Sequence, residues 1–149
     1  MKISTKGDYA TRAMQELSMH YNRGPLRIEE IAQRQEIPVR YLEQLLLILK
    51  RAGYLESKRG IKGGYTLAKA PHLITLGEII RLMEGPPAPI YCVDPSSHEK
   101  CGVEKRCGFQ GIWVEVRDIV TQILDSITFE EICRRAQLKI EPRSASYHI

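Results

Sequence analysis

Between Lys58 and Gly64 the chain reads Lys-Arg-Gly-Ile-Lys-Gly-Gly, a basic segment with three glycines between two short β-prone runs, residues 54–57 and 65–67. Few architectures place such a segment directly behind three amphipathic helices, and that order constrains the fold more than any other feature. Glycine permits positive φ in a tight turn and lets the backbone approach a phosphate closely. A glycine-rich loop that cradles a nucleotide phosphate stands between a strand and a helix. This one joins two strands, which favours a hairpin.

The three helices are legible from periodicity. Tyr9, Ala10, Ala13, Met14, Leu17 and Tyr21 recur at helical spacing, predicting a first helix over residues 9–21 that ends at Asn22-Arg23-Gly24-Pro25. A short second helix follows over Ile28–Gln35, with Ile28, Ile31 and Ala32 inward, and Glu36-Ile37-Pro38 turns the chain. A third helix is expected over residues 39–52, with Leu42, Leu45, Leu46 and Leu49 as its buried stripe. Leu47 and Ile48 make it apolar nearly all round, which the pattern leaves unexplained.

Arg40, Tyr41, Glu43 and Gln44 lie off the stripe near the N-terminus of the third helix, where a recognition helix presents side chains to base edges. Arginine can donate twice to guanine, glutamine can pair with adenine, and glutamate can accept from cytosine. On this helix alone, the exposed polar face of any helical bundle would look the same. The basic hairpin behind it favours DNA, with Arg59 for a minor groove and Lys58 and Lys62 for phosphates. Residues 1–70 therefore read as a winged helix-turn-helix domain. Charge agrees: residues 1–69 carry 13 Lys/Arg against 7 Asp/Glu, while residues 70–149 carry 9 against 11.

Residues 71–138 read as a helical dimerisation arm. Thr75 and Glu78 predict a capping box opening a helix through Glu84, with Leu76, Ile79, Ile80 and Met83 buried. Gly85-Pro86-Pro87-Ala88-Pro89 interrupts regular structure, and residues 86–111 read as a loop of the length that is usually functional or disordered. From Ile112 a long helix carries Val116, Ile119, Val120, Ile123, Leu124 and Ile127 as one apolar stripe, more than a small winged-helix domain covers alone. A homodimer on a pseudo-palindromic double-stranded operator is expected; the alternative is a monomer that folds this helix back on its own core. Thr128-Phe129-Glu130-Glu131 predicts a second capping box and a last helix to about Leu138, with residues 139–149 as a tail. The expected fold is mainly α with a small β-hairpin wing.

No apolar run is long enough to span a bilayer, and the N-terminus lacks a signal peptide's apolar core. The expectation is a cytoplasmic protein with no membrane role, in which cysteines are thiols or ligands rather than disulfides. No nucleophile–base pair or acid pair stands out, so an enzyme is not expected. Cys133 reads as a small buried hydrophobe on the last helix. Cys92, Cys101 and Cys107 differ, because eight and then five residues separate them within the loop. Three readings stand open: an iron–sulfur cluster, a zinc site completed by a residue such as His98, or a thiol switch pairing Cys101 with Cys107. Zinc sites usually show paired CxxC motifs, and none occurs here.

The opening Lys6-Gly7-Asp8-Tyr9-Ala10, Tyr41-Leu42-Glu43-Gln44-Leu45, the wing from Arg59 to Leu67, the three-cysteine loop and Ile127-Thr128-Phe129-Glu130-Glu131 resemble the Rrf2 family of bacterial regulators, typified by IscR and NsrR. The resemblance runs to about Arg135 and implies a homodimeric transcription regulator carrying one iron–sulfur cluster per subunit, [2Fe-2S] or [4Fe-4S]. Cys92, Cys101 and Cys107 match the ligand cysteines; Arg40, Tyr41, Glu43 and Gln44 match the DNA-reading positions, and Arg59 matches the wing arginine. IscR-like members place a histidine three residues after the last cysteine, where this chain has Gln110. NsrR-like members use a carboxylate near the start of the first helix of the other subunit, and Asp8 matches it. Asp8 also suits a helix cap, and Glu104, His98 or an exogenous group are the other candidates for the fourth position. Some relatives with fewer cysteines answer to a protein partner instead of a cluster.

Overall fold

The computed structural model describes residues 1–141, so the expected tail lies outside the described residues from position 142 onward. Helix α1 spans Thr5–Met19 and starts earlier than its apolar pattern announces, because its first turn is set by capping. The Ser4 hydroxyl accepts from the Gly7 amide at 3.3 Å, satisfying one donor that the helix itself leaves free. Asp8 is thus not the cap. At the other end the helix stops before Tyr21, which is exposed and not part of the core, and Asn22 takes φ 62° to turn the chain.

Helices α2 (Ile28–Gln35) and α3 (Val39–Arg51) follow, joined through Glu36 in the left-handed region. Ala10, Ala13, Met14 and Leu17 of α1 meet Ile31 of α2 and the Leu42, Leu45, Leu46, Leu49 stripe of α3 in one buried cluster. Ile28 is only half-buried. Ile48 packs on the edge of the cluster, while Leu47 points outward; only half of the extra apolar surface on α3 is thereby accounted for.

Strands β1 (Leu55–Lys58) and β2 (Gly64–Leu67) pair antiparallel, with Leu55 opposite Leu67 and Lys58 opposite Gly64. The outer edge of β2 does not stay free. Leu26 and Tyr65 exchange both backbone hydrogen bonds at 2.9 Å, so the segment before α2 braces the wing. Gly64 is required there: its φ is 147°, and a Cβ would stand 2.5 Å from the Leu26 carbonyl oxygen.

Helix α4 (Leu76–Glu84) opens on the complete capping box, with the Thr75 hydroxyl accepting from Glu78 N (3.2 Å) and the Glu78 carboxylate accepting from Thr75 N (2.7 Å). Helix α6 (Phe129–Ile140) opens on half of one. Thr128 accepts from Glu131 N at 3.2 Å, but no return bond forms. The Glu131 carboxylate is taken by Arg134 (2.6 and 2.7 Å) and Arg135 (2.9 Å), which lower its pKa to about 2. Leu76 N donates to Ile127 O (2.8 Å) and Phe129 N to Ile74 O (3.0 Å), so the starts of α4 and α6 are stitched together. Ile74, Ile79, Met83 and Phe129 join the same buried cluster as the first three helices.

Helix α5 (Gln110–Ser126) stands apart. None of its residues is buried, and Ile112, Val116, Ile119 and Ile123 remain 52%, 37%, 57% and 53% exposed. The helix does not fold back to cover this stripe. It is held to α4 by the Arg81–Asp125 ion pair at 2.7 Å, for which Gly77 leaves room. Among the described residues no helix is long and apolar enough to cross a membrane.

Candidate DNA-binding face and cysteine loop

Arg40, Glu43 and Gln44 are exposed on the first turns of α3. Tyr41 is only half-exposed, since its ring meets the Tyr9 ring edge-on at 5.7 Å between centroids. Lys58 ends β1, and Arg59 and Lys62 flank the wing tip; all three are exposed, and Ile61 between them is 92% exposed. The tip is tight: Gly60 has φ 108°, and Gly63 N donates to Gly60 O at 3.0 Å. A Cβ on Gly63 would lie 2.3 Å from the Lys58 carbonyl.

Arg27 and Lys50 join Lys58 and Arg59 around a groove of about 380 Å³ between the wing and the start of α2. Sequence reasoning missed these two. Their only signal was the positive balance of the first half, because the helical pattern does not say which surface lysines and arginines converge.

The connector from α4 to α5 contains two short 3-10 turns, Tyr91–Val93 and Glu104–Arg106, in place of a wholly irregular loop. Cys92, Cys101 and Cys107 all lie on it, half-buried, whereas Cys133 is buried in the core. Burial, with Glu16 and Glu130 nearby, pushes the Cys133 thiol up to about 11. Tyr91 lies beside Cys101, and that thiol, with Cys92 and Glu99 near, raises the phenol's pKa. Gln110, standing where IscR-like members place a histidine, donates to Glu104 at 3.2 Å, and His98 is exposed.

Few bonds anchor the connector to the rest of the chain; the clearest is Arg117 Nη1 to Val93 O at 2.9 Å. Among the described residues, no three His, Cys, Asp or Glu side chains meet closely enough to hold a metal ion. As donors, three thiols and a carboxylate suit an iron–sulfur cluster, and a sparsely tethered connector can close around one. Within the single subunit they are not gathered.

Asp8 is exposed in the first turns of α1 and pairs with Arg12 at 3.2 Å. The same guanidinium donates from Nε to the Gln35 side chain (3.1 Å), also bonds the Gln35 carbonyl at the end of α2, and lies 5.3 Å from the Tyr9 ring centre. Asp8, Ser4, Thr5, Leu76 and Leu124 line an open groove of about 490 Å³ where α1 meets the α4–α5 joint. Glu84 supplies a contact that no local pattern announced: its carboxylate reaches back about a chain's half-length to Ser4 and Gly7.

Three helices, a braced basic hairpin and a separate apolar helix carrying a cysteine connector define a winged-helix regulator of transcription. Comparison with known proteins is specific. The profile of the Rrf2 family, described as an iron-dependent transcriptional regulator, matches residues 3–135. The transcriptional regulator CymR of Bacillus subtilis is 39% identical over 132 residues, 89% of each chain. Its structure, described as the global cysteine regulator, superposes with a TM-score of 0.78 over 91% of this chain and 98% of that one, at 38% identity. T. potens IscR gives 0.78 at 35% identity over 99% and 97% of the two chains. Staphylococcus aureus CymR in its oxidised form gives 0.72 at 35% identity over 89% and 96%. This chain belongs to the Rrf2 family of transcriptional regulators.

Proposed function

We propose that the chain works in the cytoplasm as a homodimeric, DNA-binding transcription regulator whose operator affinity depends on an iron–sulfur cluster. Cys92, Cys101 and Cys107 would hold the cluster, with Asp8 of the partner subunit as fourth ligand. One observation carries this reading: three of the four cysteines are spread half-buried along a single connector, where thiols add little to packing. The family's description as iron-dependent agrees with it.

Arg40, Tyr41, Glu43 and Gln44 present to base edges, Arg59 enters a minor groove, and Lys58 and Lys62 bind phosphates. The exposed stripe of α5 pairs with its twofold mate and sets the separation of the two recognition helices. The bound cluster supplies a tie between connector and α1 that iron supply or oxidants can break. Held by three thiols of one connector and by Asp8 of the partner subunit, a cluster would tie that connector to the first turn of the partner's α1. Arg12 then no longer holds Asp8 alone, and the α1–α2 contact it also makes at Gln35 is free to readjust. The apo and holo forms must therefore differ in operator affinity.

A second reading has its own support, since the sulfurs are not gathered in the subunit and CymR is among the similar structures, one of them in an oxidised form. There, Cys101 and Cys107 form a disulfide that moves the same connector. Anaerobic purification with visible spectra, iron and sulfide analysis, and operator titrations of single alanine variants at Cys92, Cys101 and Cys107 separates the two. A coloured protein with stoichiometric iron and sulfide, and altered operator binding in all three variants, supports the cluster. A colourless protein with an oxidant-induced Cys101–Cys107 bond supports the switch. Operator binding unchanged in every variant and condition refutes both.

A further inference from the structure

The turn that closes the wing runs from Gly60 to Gly63. Gly63 N donates to Gly60 O at 3.0 Å, which makes Ile61 and Lys62 its two central residues. The turn is packed down on the strand that enters it, since a Cβ on Gly63 would stand 2.3 Å from the Lys58 carbonyl oxygen and 2.9 Å from that of Gly60. Such a tip holds its apex in a fixed direction. Turn centres favour glycine, proline, asparagine, aspartate and serine, whereas a β-branched side chain favours the strands on either side. Ile61 therefore answers no local need.

Nor does it answer a packing need. Ile61 is 92% exposed, against 70% for Ile140, the next most exposed large apolar residue among the described ones. Single apolar residues are ordinary on a protein surface. This one differs in its surroundings, with Arg59 two residues before it and Lys62 directly after, both exposed. Behind the tip, Arg27, Lys50, Lys58 and Arg59 line the groove between wing and α2, with the Glu29 carboxylate also on its wall. Four cations around one groove suit the phosphates of a duplex backbone. A tip reaching past that backbone meets sugar walls and base edges, and isoleucine is among the side chains that minor-groove proteins press into that surface.

We propose that Ile61 is a specificity-determining contact in the DNA minor groove, packed on the groove floor beside Arg59 and favouring A·T over G·C pairs at that step. This rests on the proposed entry of the wing into a minor groove. A·T pairs present only acceptors there, which the Arg59 guanidinium can satisfy, while guanine adds its N2 amino donor. Neither arginine nor isoleucine holds a side-chain acceptor, so that donor would be buried without a partner. The isoleucine contact releases no counterions, and its share of the affinity is therefore insensitive to salt, unlike that of a lysine on a phosphate.

The test uses a duplex selected from a random pool by the full-length protein, in whichever of its apo and reconstituted forms binds DNA. Dissociation constants of wild type, Ile61→Ala, Ile61→Leu, Arg59→Ala and Lys62→Ala are measured on it across a range of salt concentrations, with melting temperatures alongside. Ile61→Ala is expected to bind about tenfold more weakly at every salt concentration, with slope and melting temperature unchanged. Ile61→Leu, of equal volume, should stay near wild type, and Lys62→Ala should lower the slope by about 1. The A·T pairs of the duplex are then replaced singly by G·C and by inosine·C, which lacks the N2 amino group. At the step beneath the wing, G·C should weaken wild type about fivefold or more and inosine·C should restore it. Ile61→Ala should lose most of that difference.

Ile61→Ala binding the duplex like wild type, while Arg59→Ala is weakened, overturns the proposal and leaves the wing in its groove. If that variant instead loses binding to phosphatidylglycerol vesicles, the residue serves a bilayer and the proposal fails as well. Both wing variants binding like wild type would remove the parent reading, and this one with it. A loss in Ile61→Ala that brings a smaller salt slope or a lower melting temperature marks a rearranged tip and overturns the apolar contact. So does a G·C penalty that inosine does not relieve or that Ile61→Ala retains.

Discussion

Replacing Ile119 by aspartate should separate the subunits of the proposed homodimer without unfolding either. Ile119 is 57% exposed at the centre of the α5 stripe. Burying a whole isoleucine side chain contributes about 1.5–3 kcal/mol, so covering the exposed remainder contributes about 1.5 kcal/mol per subunit. Twofold symmetry doubles this to about 3 kcal/mol per dimer. Aspartate forfeits that and places a carboxylate from each subunit in an apolar seam, each costing several kcal/mol unless paired. A total above about 5 kcal/mol weakens the dimer by more than about three powers of ten. Ile119→Ala, which only shortens the side chain, should cost about 2 kcal/mol per dimer, roughly thirtyfold. Sedimentation velocity from nanomolar to high micromolar protein measures both. The aspartate variant should sediment as a monomer at concentrations where wild type is dimeric, with circular dichroism unchanged. If Ile119→Asp remains a dimer across that range, the stripe is not the interface and the reasoning fails.

Further outcomes are expected on stability, thiol reactivity, titration and DNA binding. Gly64→Ala must break the Leu26–Tyr65 exchange or strain its own backbone, so calorimetry should find a melting temperature lower by on the order of 10 °C; a shift within error would mean the brace is dispensable. Cys133 should resist alkylation at pH 8 while the three connector thiols of the apo protein react, and mass spectrometry counts them. Because burial raises the Cys133 thiol to about 11, its contribution to stability is complete below the ordinary thiol value near 9 and falls as pH rises towards 11, a slope that Cys133→Ala should remove from alkaline unfolding curves. Glu131 is depressed to about 2 by Arg134 and Arg135, so its contribution is present above its ordinary 4.5 and is lost as pH falls towards 2; NMR titration of the side chain reads this directly, and an unshifted midpoint would contradict the pairing. On DNA, Gln44→Ala should relax preference at one base position by about 1–3 kcal/mol, while Lys62→Ala should weaken all sequences alike and lower the salt slope by about 1.

The helical core was readable because buried positions repeat with the helix period, as Leu42, Leu45, Leu46 and Leu49 do. The same logic misplaced both ends of α1. Its first turn carries no apolar signal, only a serine whose role depends on Glu84 far along the chain, and Tyr21 keeps the spacing after the helix has ended. The box at Thr75 formed because Arg81, one turn after Glu78, is taken by Asp125; at Thr128 two arginines one turn on claim the glutamate first. The candidate site was legible as a list of residue types, since three cysteines on a proline-flanked connector are visible in one dimension. What joins them was not. Arg12, Glu84 and the Tyr9–Tyr41 contact act between elements distant in sequence, and periodicity carries no information about such pairs.

The rung between Leu26 and Tyr65 ties the wing to the segment that opens α2, and the shared core ties α2 to the α3 proposed to read DNA, so the two form a calliper with its opening set by the fold. A calliper does not stretch. Each base pair inserted between the steps touched by the helix and by the wing adds about 3.4 Å and a tenth of a turn to the duplex. A half-site lengthened by one pair should therefore lose one set of contacts entirely, whichever base is inserted, and the protein should measure distance along DNA as strictly as it reads letters.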